Sequence, residues 1–267
     1  MKLPIGLALT LAIFAPACAS APSSTTPAAA PSPASVPAAA APAPVSPAIL
    51  AEPDRSAKDR KLDAGRKPVE LFNFAGVHAG AQVAEIGAWE GYGAELLARA
   101  VGPDGKVYAV DPPEFDKYTK DVWAERSTRA VSSRIARVAR NYDDPLPPGT
   151  PPLDVAFVTL FYHDMVWLKV DRDKMNAALF KALKPGGVLV VVDHSAKKGE
   201  GTNVAKSLHR IEESVVVDEV KKAGFVLDGQ SDFLRHPEDP RDWSASDEAP
   251  MEKRGTSDRF ALRFKKP

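Results

Sequence analysis

A chain of 267 residues in which 35 Lys and Arg balance 35 Asp and Glu offers no net field to attract nucleic acid, and no basic cluster supplies a local one. Its single cysteine, Cys18, excludes an intramolecular disulfide. The length allows one or two domains, but the first fifth of the chain has the wrong composition for domain material.

The chain opens with Met1 and Lys2, an apolar run from Leu3 to Phe14, and small residues Ala15, Ala17 and Ala19 around Cys18, an order that predicts a signal peptide over residues 1–18. A membrane-spanning helix needs about 20 apolar residues. This run is shorter and is interrupted by Pro4 and Pro16. Ala15-Pro16-Ala17-Cys18 resembles a bacterial lipobox, with Ala15 where such motifs usually carry leucine. That resemblance implies export to the cell envelope, lipidation of Cys18 and a membrane anchor; the other reading is a plain cleavage site that contains a cysteine. Residues 19–53 are mostly Ala, Pro, Ser and Thr, which bury too little apolar surface to offset the entropy of ordering. They are expected to form an extended, Pro-stiffened linker.

Residues 54–267 suffice for one well-buried domain. Strands are predicted at Gln82–Ile86, Lys106–Val110, Ile135–Ala139, Asp154–Leu160, Val188–Val192, Gly224–Leu227 and Phe260–Phe264. The run Val188-Leu189-Val190-Val191-Val192 has the continuous apolar character of a central strand covered on both faces. Tyr92, Leu96, Leu97 and Ala100 form one helical stripe, and Val204, Leu208, Ile211 and Val215 a second. Alternating strands and helices predict an α/β fold, Rossmann-like and doubly wound around a mostly parallel sheet.

Glu85-Ile86-Gly87-Ala88-Trp89-Glu90-Gly91-Tyr92 marks where the first strand turns into a helix. Gly87 and Gly91 permit the tight turn, and ordinary turn geometry is their alternative role. Asp111, 24 positions after Gly87, closes the second strand where a carboxylate can accept hydrogen bonds from ribose hydroxyls. Glu85 would repel a pyrophosphate but suits a cofactor bearing an ammonium and a sulfonium.

These features, together with Leu183-Lys184-Pro185-Gly186-Gly187 before the fifth strand, resemble the ordered motifs of class I S-adenosylmethionine-dependent methyltransferases. More narrowly, Arg66-Lys67-Pro68, Tyr162-His163-Asp164, Asp193-His194, Leu208-His209-Arg210-Ile211 and Asp258-Arg259-Phe260 are similar to a bacterial family of predicted methyltransferases. The resemblance implies a seven-stranded sheet with the last strand antiparallel. It also implies S-adenosylmethionine as cofactor, contacted by Glu85, Gly87, Gly91 and Asp111. Trp89 departs from the usual glycine-rich stretch; it can stack on a ligand, point away, or fill the site.

His163 and His194 follow the fourth and fifth strands, at the edge where open α/β sheets bind ligands, and are the candidate general bases; His209 is a weaker candidate. The spacing of His163, Asp164, Asp193, His194 and His209 contains no recognised ligand motif, so no metal is expected. A small-molecule methyl acceptor is the expected partner, and the oligomeric state stays open. Because the donor is made inside cells, export leaves a competing reading: an inactive cell-envelope binding protein that retains the fold.

Overall fold

The computed structural model describes residues 10–13, 15, 43–246 and 248–267, with the side chain of Met251 excepted. The expected lipidation site at Cys18 and most of the expected signal peptide and linker lie outside the described residues. Among the described residues no helix is long and apolar enough to cross a membrane. Ala41–Pro267 forms one unit.

Packing starts upstream of Asp54. Ser46 accepts the Ala48 N–H to cap a short 3-10 turn over Pro47–Leu50, Val45 and Ile49 are buried, and the Val45 N–H donates to Asn73 Oδ1 at 2.7 Å. Composition hid this because two apolar side chains suffice to dock a segment that otherwise reads as linker.

Two helices, α1 (Ala57–Arg66) and α2 (Pro68–Ala75), precede β1 (Gln82–Ile86). The chain continues through α3 (Tyr92–Ala100), β2 (Lys106–Asp111), α4 (Asp116–Ser127), β3 (Ile135–Ala139) and β4 (Leu153–Thr159). It then forms α5 (Asp164–Trp167), α6 (Arg172–Ala182), β5 (Leu183–His194), α7 (Ala205–Leu208), α8 (Glu213–Lys222), β6 (Val226–Ser231) and β7 (Arg259–Lys265). The seven strands lie in the order β3-β2-β1-β4-β5-β7-β6, all parallel except β7, which runs antiparallel to both neighbours. This is the expected doubly wound α/β sheet.

Side-chain alternation along each strand builds two cores. On β4, Val155 and Phe157 join one cluster with Leu96, Leu97 and Phe72, whereas Ala156 and Val158 join the other with Met175, Leu179 and Val216. The expected stripe on α3 holds, with Tyr92, Leu96 and Leu97 buried and Ala100 half-buried.

The second expected stripe is not one helix. His209 takes a left-handed conformation (φ 50°), ending α7 after one turn, and Ile211 forms a bridge to Ser195 before α8 begins. β6 starts at Val226, two residues later than expected, because Gly224 (φ 105°) turns the chain and Phe225 is buried. The Lys184-Pro185-Gly186-Gly187 turn lies inside β5 as an irregularity: Leu183 pairs with Leu153, and the register resumes at Val188 with Val155. A Cβ on Gly187 would stand 2.8 Å from the Lys184 carbonyl, so glycine is required there.

Candidate functional site

The carboxyl ends of β1, β2, β4 and β5 converge on one rim of the sheet, as parallel pairing requires. Glu85 sits one residue before the end of β1, only 7% exposed, with Gly93 and the Ala94 amide of α3 beside its carboxylate. Its Oε2 is buried and has no hydrogen-bond partner among the described residues. Burial first, then the charge of Asp111, pushes its pKa up to about 8, while Arg66 and the Ala94 amide counter that rise. Arg66 lies over the Tyr92 ring at 4.8 Å. Tyr92 is otherwise core, its hydroxyl donating to Asp63 at 2.9 Å.

Gly87 (φ 79°) and Gly91 (φ 80°) both need glycine's freedom and both are closely approached. A Cβ on Gly87 would meet the Phe161 ring at 2.5 Å, and one on Gly91 the Trp123 ring at 2.6 Å. Asp111 ends β2 with Tyr142 donating to its Oδ1 at 3.0 Å and the Trp89 amide donating to its carboxylate. Burial raises its pKa to about 6, against the pull of those two donors.

Trp89 holds a left-handed backbone (φ 50°). Its ring packs edge-on to Phe115 at 5.6 Å and beside Tyr118 at 6.2 Å, and the residue is 39% exposed. The ring thus packs against Phe115 and Tyr118, while Phe161 lies against Gly87. Tyr142, which packs on both Phe115 and Phe161, completes an aromatic wall over the β2 end.

Beyond β4, Leu160 (φ 56°) turns the chain sharply and aims Phe161–His163 across to β5. His163 is buried and is held by Asp193 of β5: its Nδ1 lies 2.7 Å from Oδ1, and its backbone N–H donates to Oδ2 at 2.7 Å. Its Nε2 lies 3.1 Å from Asp164 Oδ1 and 3.3 Å from His209 Nδ1. Burial alone would lower the His163 pKa, but Asp193 and Asp164 outweigh it and push the pKa up to about 10.

His194, half-buried, places Nδ1 2.8 Å from Ser257 Oγ, and its Nε2 makes no hydrogen bond among the described residues. Burial, then the charges on His163 and Arg259, hold its pKa well below the usual range. The His163 and His194 rings are 5.9 Å apart, and His163 and His209 are 5.3 Å apart, so the three histidines weighed from sequence form one group.

Several participants had no sequence signal of their own. Tyr142, Phe161 and Ser257 reach the site through loop geometry, and Ser257 lies just ahead of antiparallel β7. Arg259, at the start of β7, is 3% exposed, and among the described residues its guanidinium hydrogen-bonds only to the carbonyls of Ser257 and Gly255, and neither it nor Arg66 forms an ion pair with a carboxylate.

No protein-family model matches the chain. A protein-L-isoaspartate O-methyltransferase from Ignicoccus hospitalis is 24% identical over 157 residues, covering 58% of this chain and 66% of that relative, just short of two thirds of its length. Among solved structures, an S-adenosylmethionine-dependent methyltransferase from Aquifex aeolicus superposes with a TM-score of 0.55 at 17% identity, over 79% of this chain and 97% of the other. The cyclase SpnF superposes with a TM-score of 0.54 at 16% identity, over 76% and 81% of the two chains. The chain thus has the class I methyltransferase fold, which serves a cyclase as well, so the reaction has to be argued from the site.

Proposed function

We propose that the chain transfers the methyl group of S-adenosylmethionine to a small-molecule acceptor. The observation that carries this reading is the orphaned Glu85 Oε2, a buried carboxylate oxygen without a donor among the described residues, at the rim where such sheets bind ligands. Leaving such a group unsatisfied costs about 1–3 kcal/mol or more, a cost removed by a ligand that brings its own cationic donor. The cofactor's ammonium is such a donor. Arg66, near enough to act on Glu85 and free of a carboxylate partner among the described residues, suits the adjoining carboxylate. Asp111 is placed for the ribose hydroxyls. The curated relative, named for O-methyl transfer, supports the same reading.

The cofactor, when bound, supplies a methyl group already activated on a sulfonium. The chain's own residues then have to position the acceptor, exclude water and receive a proton. Phe161, Tyr142 and Phe115 exclude water from the β2 end of the rim. His163 has both ring nitrogens engaged, whereas His194 Nε2 is without a partner among the described residues, which makes His194 the better placed base. The even balance of charge along the sequence favours a small acceptor over a nucleic acid.

The order of charge, apolar run, small residues and cysteine at the N-terminus supports a location of this activity in the cell envelope. Residues 1–18 serve as the signal peptide, Cys18 carries the lipid, and the Pro-rich segment after it tethers the domain to a membrane. The central experiment is calorimetry of the purified protein with S-adenosylmethionine and its demethylated product. Saturable binding of both, weakened in Glu85→Gln, supports the assignment. Absence of binding to the folded wild type overturns it.

A further inference from the structure

His163 and Asp164 are neighbours in sequence and His209 lies 46 positions after His163, a spacing that matches no ligand motif, yet the fold brings one donor atom of each together. His163 Nε2, Asp164 Oδ1 and His209 Nδ1 form a nearly equilateral triangle with sides of 3.1, 3.3 and 3.3 Å. A tetrahedral ion with bonds of about 2.0–2.1 Å holds its ligand atoms about 3.3–3.4 Å apart, and octahedral neighbours sit at about 3.0 Å. The triangle therefore has the dimensions of one face of a coordination shell before any ligand moves.

The surroundings are those of a supported metal ligand set. Asp193 takes the other ring nitrogen of His163 at 2.7 Å, which fixes the ring with Nε2 facing His209 and Asp164, where a metal ion would take the place of a proton. Trp167 Nε1 donates to Asp164 Oδ1 at 2.9 Å and orients that carboxylate. His209 is held in a left-handed conformation (φ 50°) between α7 and the Ile211 bridge, a backbone state that costs a non-glycine residue stability and turns its ring toward His163. Two carboxylates, Asp164 and Asp193, flank His163, and two imidazole nitrogens point at each other across 3.3 Å. One proton can occupy that gap, but it leaves the second carboxylate's charge uncompensated within the group.

We propose that His163, His209 and Asp164 bind one divalent transition-metal ion, with at least one position left for water or an acceptor oxygen. Two imidazoles and a carboxylate suit Zn2+, Co2+ or Fe2+, and the edge lengths favour the tetrahedral choice, Zn2+. The ion would sit beside His194 at the rim of β4 and β5. This inference stands whether or not the chain transfers methyl groups.

The test uses the full chain stripped with a chelator, then equilibrated with Zn2+ for elemental analysis or titrated with Co2+ for its visible absorption. One ion per chain is expected, with Co2+ giving the intense bands of a tetrahedral site. His209→Asn keeps a residue that tolerates the left-handed backbone but removes the imidazole. Asp164→Asn removes the charge at a half-buried position. Each should weaken binding by more than about 100-fold, above the 10–100-fold that loss of a supporting contact brings. His236→Asn, on a surface histidine, should bind as wild type. Wild type that takes up neither ion at saturation overturns the proposal, as does stoichiometric binding retained in both site variants with circular dichroism showing them folded. Calorimetry with the demethylated cofactor on the same samples keeps this outcome separate from that of the methyl-transfer reading.

Discussion

Asp193 grips His163 by ring and backbone at once, with Oδ1 2.7 Å from Nδ1 and Oδ2 accepting the main-chain N–H at 2.7 Å. The His194 N–H also donates to Oδ1 at 2.7 Å, so one fully buried carboxylate ties the end of β4 to the end of β5. Asp193→Asn turns an acceptor into a donor that faces another donor. We expect a loss of about 3–5 kcal/mol, the range for breaking one side of a buried charged pair, read from urea unfolding. Asp232→Asn, at a side chain 95% exposed, should stay within about 0.5 kcal/mol. Equal stability of both variants would show that the Asp193 contacts contribute little.

Glu85 makes the empty protein less stable as pH rises. Its pKa climbs from 4.5 when unfolded to about 8 in the fold, chiefly through burial and then through Asp111. Between those values the folded state holds a proton that the unfolded state has released, so its contribution to stability falls steadily with pH and levels off above about 8. Glu85→Gln removes the effect. The variant should gain on wild type across this window in urea titrations at successive pH values, even as it loses cofactor affinity. A difference that is flat from pH 4.5 to 8 would mean the carboxylate is already ionised by a partner in the fold.

Cofactor binding should also depend on Asp111. Asp111→Ala removes a charged acceptor, and we expect affinity for the demethylated product to fall by about 1.5–3 kcal/mol in calorimetry. It also strands the Tyr142 hydroxyl and the Trp89 amide, so a lower melting temperature should accompany the weaker binding. Unchanged affinity would remove Asp111 from the cofactor site.

The sheet was legible because strand alternation and the Gly87–Gly91 turn are local signals: each strand's period and each glycine's positive φ can be read a few residues at a time. The histidine group was legible only in part. His163 and His194 stood out at strand ends, but their partners did not. Neighbours on a strand face opposite ways, so Asp193 turns away from the His194 ring and reaches His163 across from β5 to the segment after β4. Asp164 does meet its neighbour His163, because both lie at the start of α5, where strand alternation has ended. His209 joins through a left-handed turn that a continuous helical stripe concealed. Long-range placement of this kind is decided by topology, to which spacing along the chain is blind.

The N-terminus makes a prediction independent of the site. Fractionation of cells expressing the full chain should place it with membranes, and mass analysis should find lipid on an N-terminal Cys18. Cys18→Ser should release it in soluble form. If both proteins partition alike and neither carries lipid, the anchor is absent and the cysteine merely borders a cleavage site.

The division of labour between the two strand-end histidines can be tested by separating turnover from binding. Nδ1 and Nε2 of His163 both have protein partners, so that ring is held and has no nitrogen open to an acceptor. In His194 only Nδ1 has a partner among the described residues, Ser257 at 2.8 Å, and that contact fixes the ring and leaves Nε2 without one. A base needs a lone pair within about 3 Å of the proton it takes, and of the two only His194 has one to offer. With labelled S-adenosylmethionine and a panel of thiol, phenol and carboxylic acid acceptors, His194→Ala should lower single-turnover transfer to a protonated acceptor by about 10²–10⁴. Affinity for the demethylated product should hardly change, because Glu85 and Asp111 are untouched. Ser257→Ala should give a smaller loss of the same kind, since it loosens the ring without removing it. An acceptor that is already ionised needs no base, so the His194→Ala deficit should shrink as the acceptor's own pKa falls below the assay pH. Transfer at wild-type rate to a protonated acceptor in His194→Ala would leave positioning as the whole of the protein's contribution.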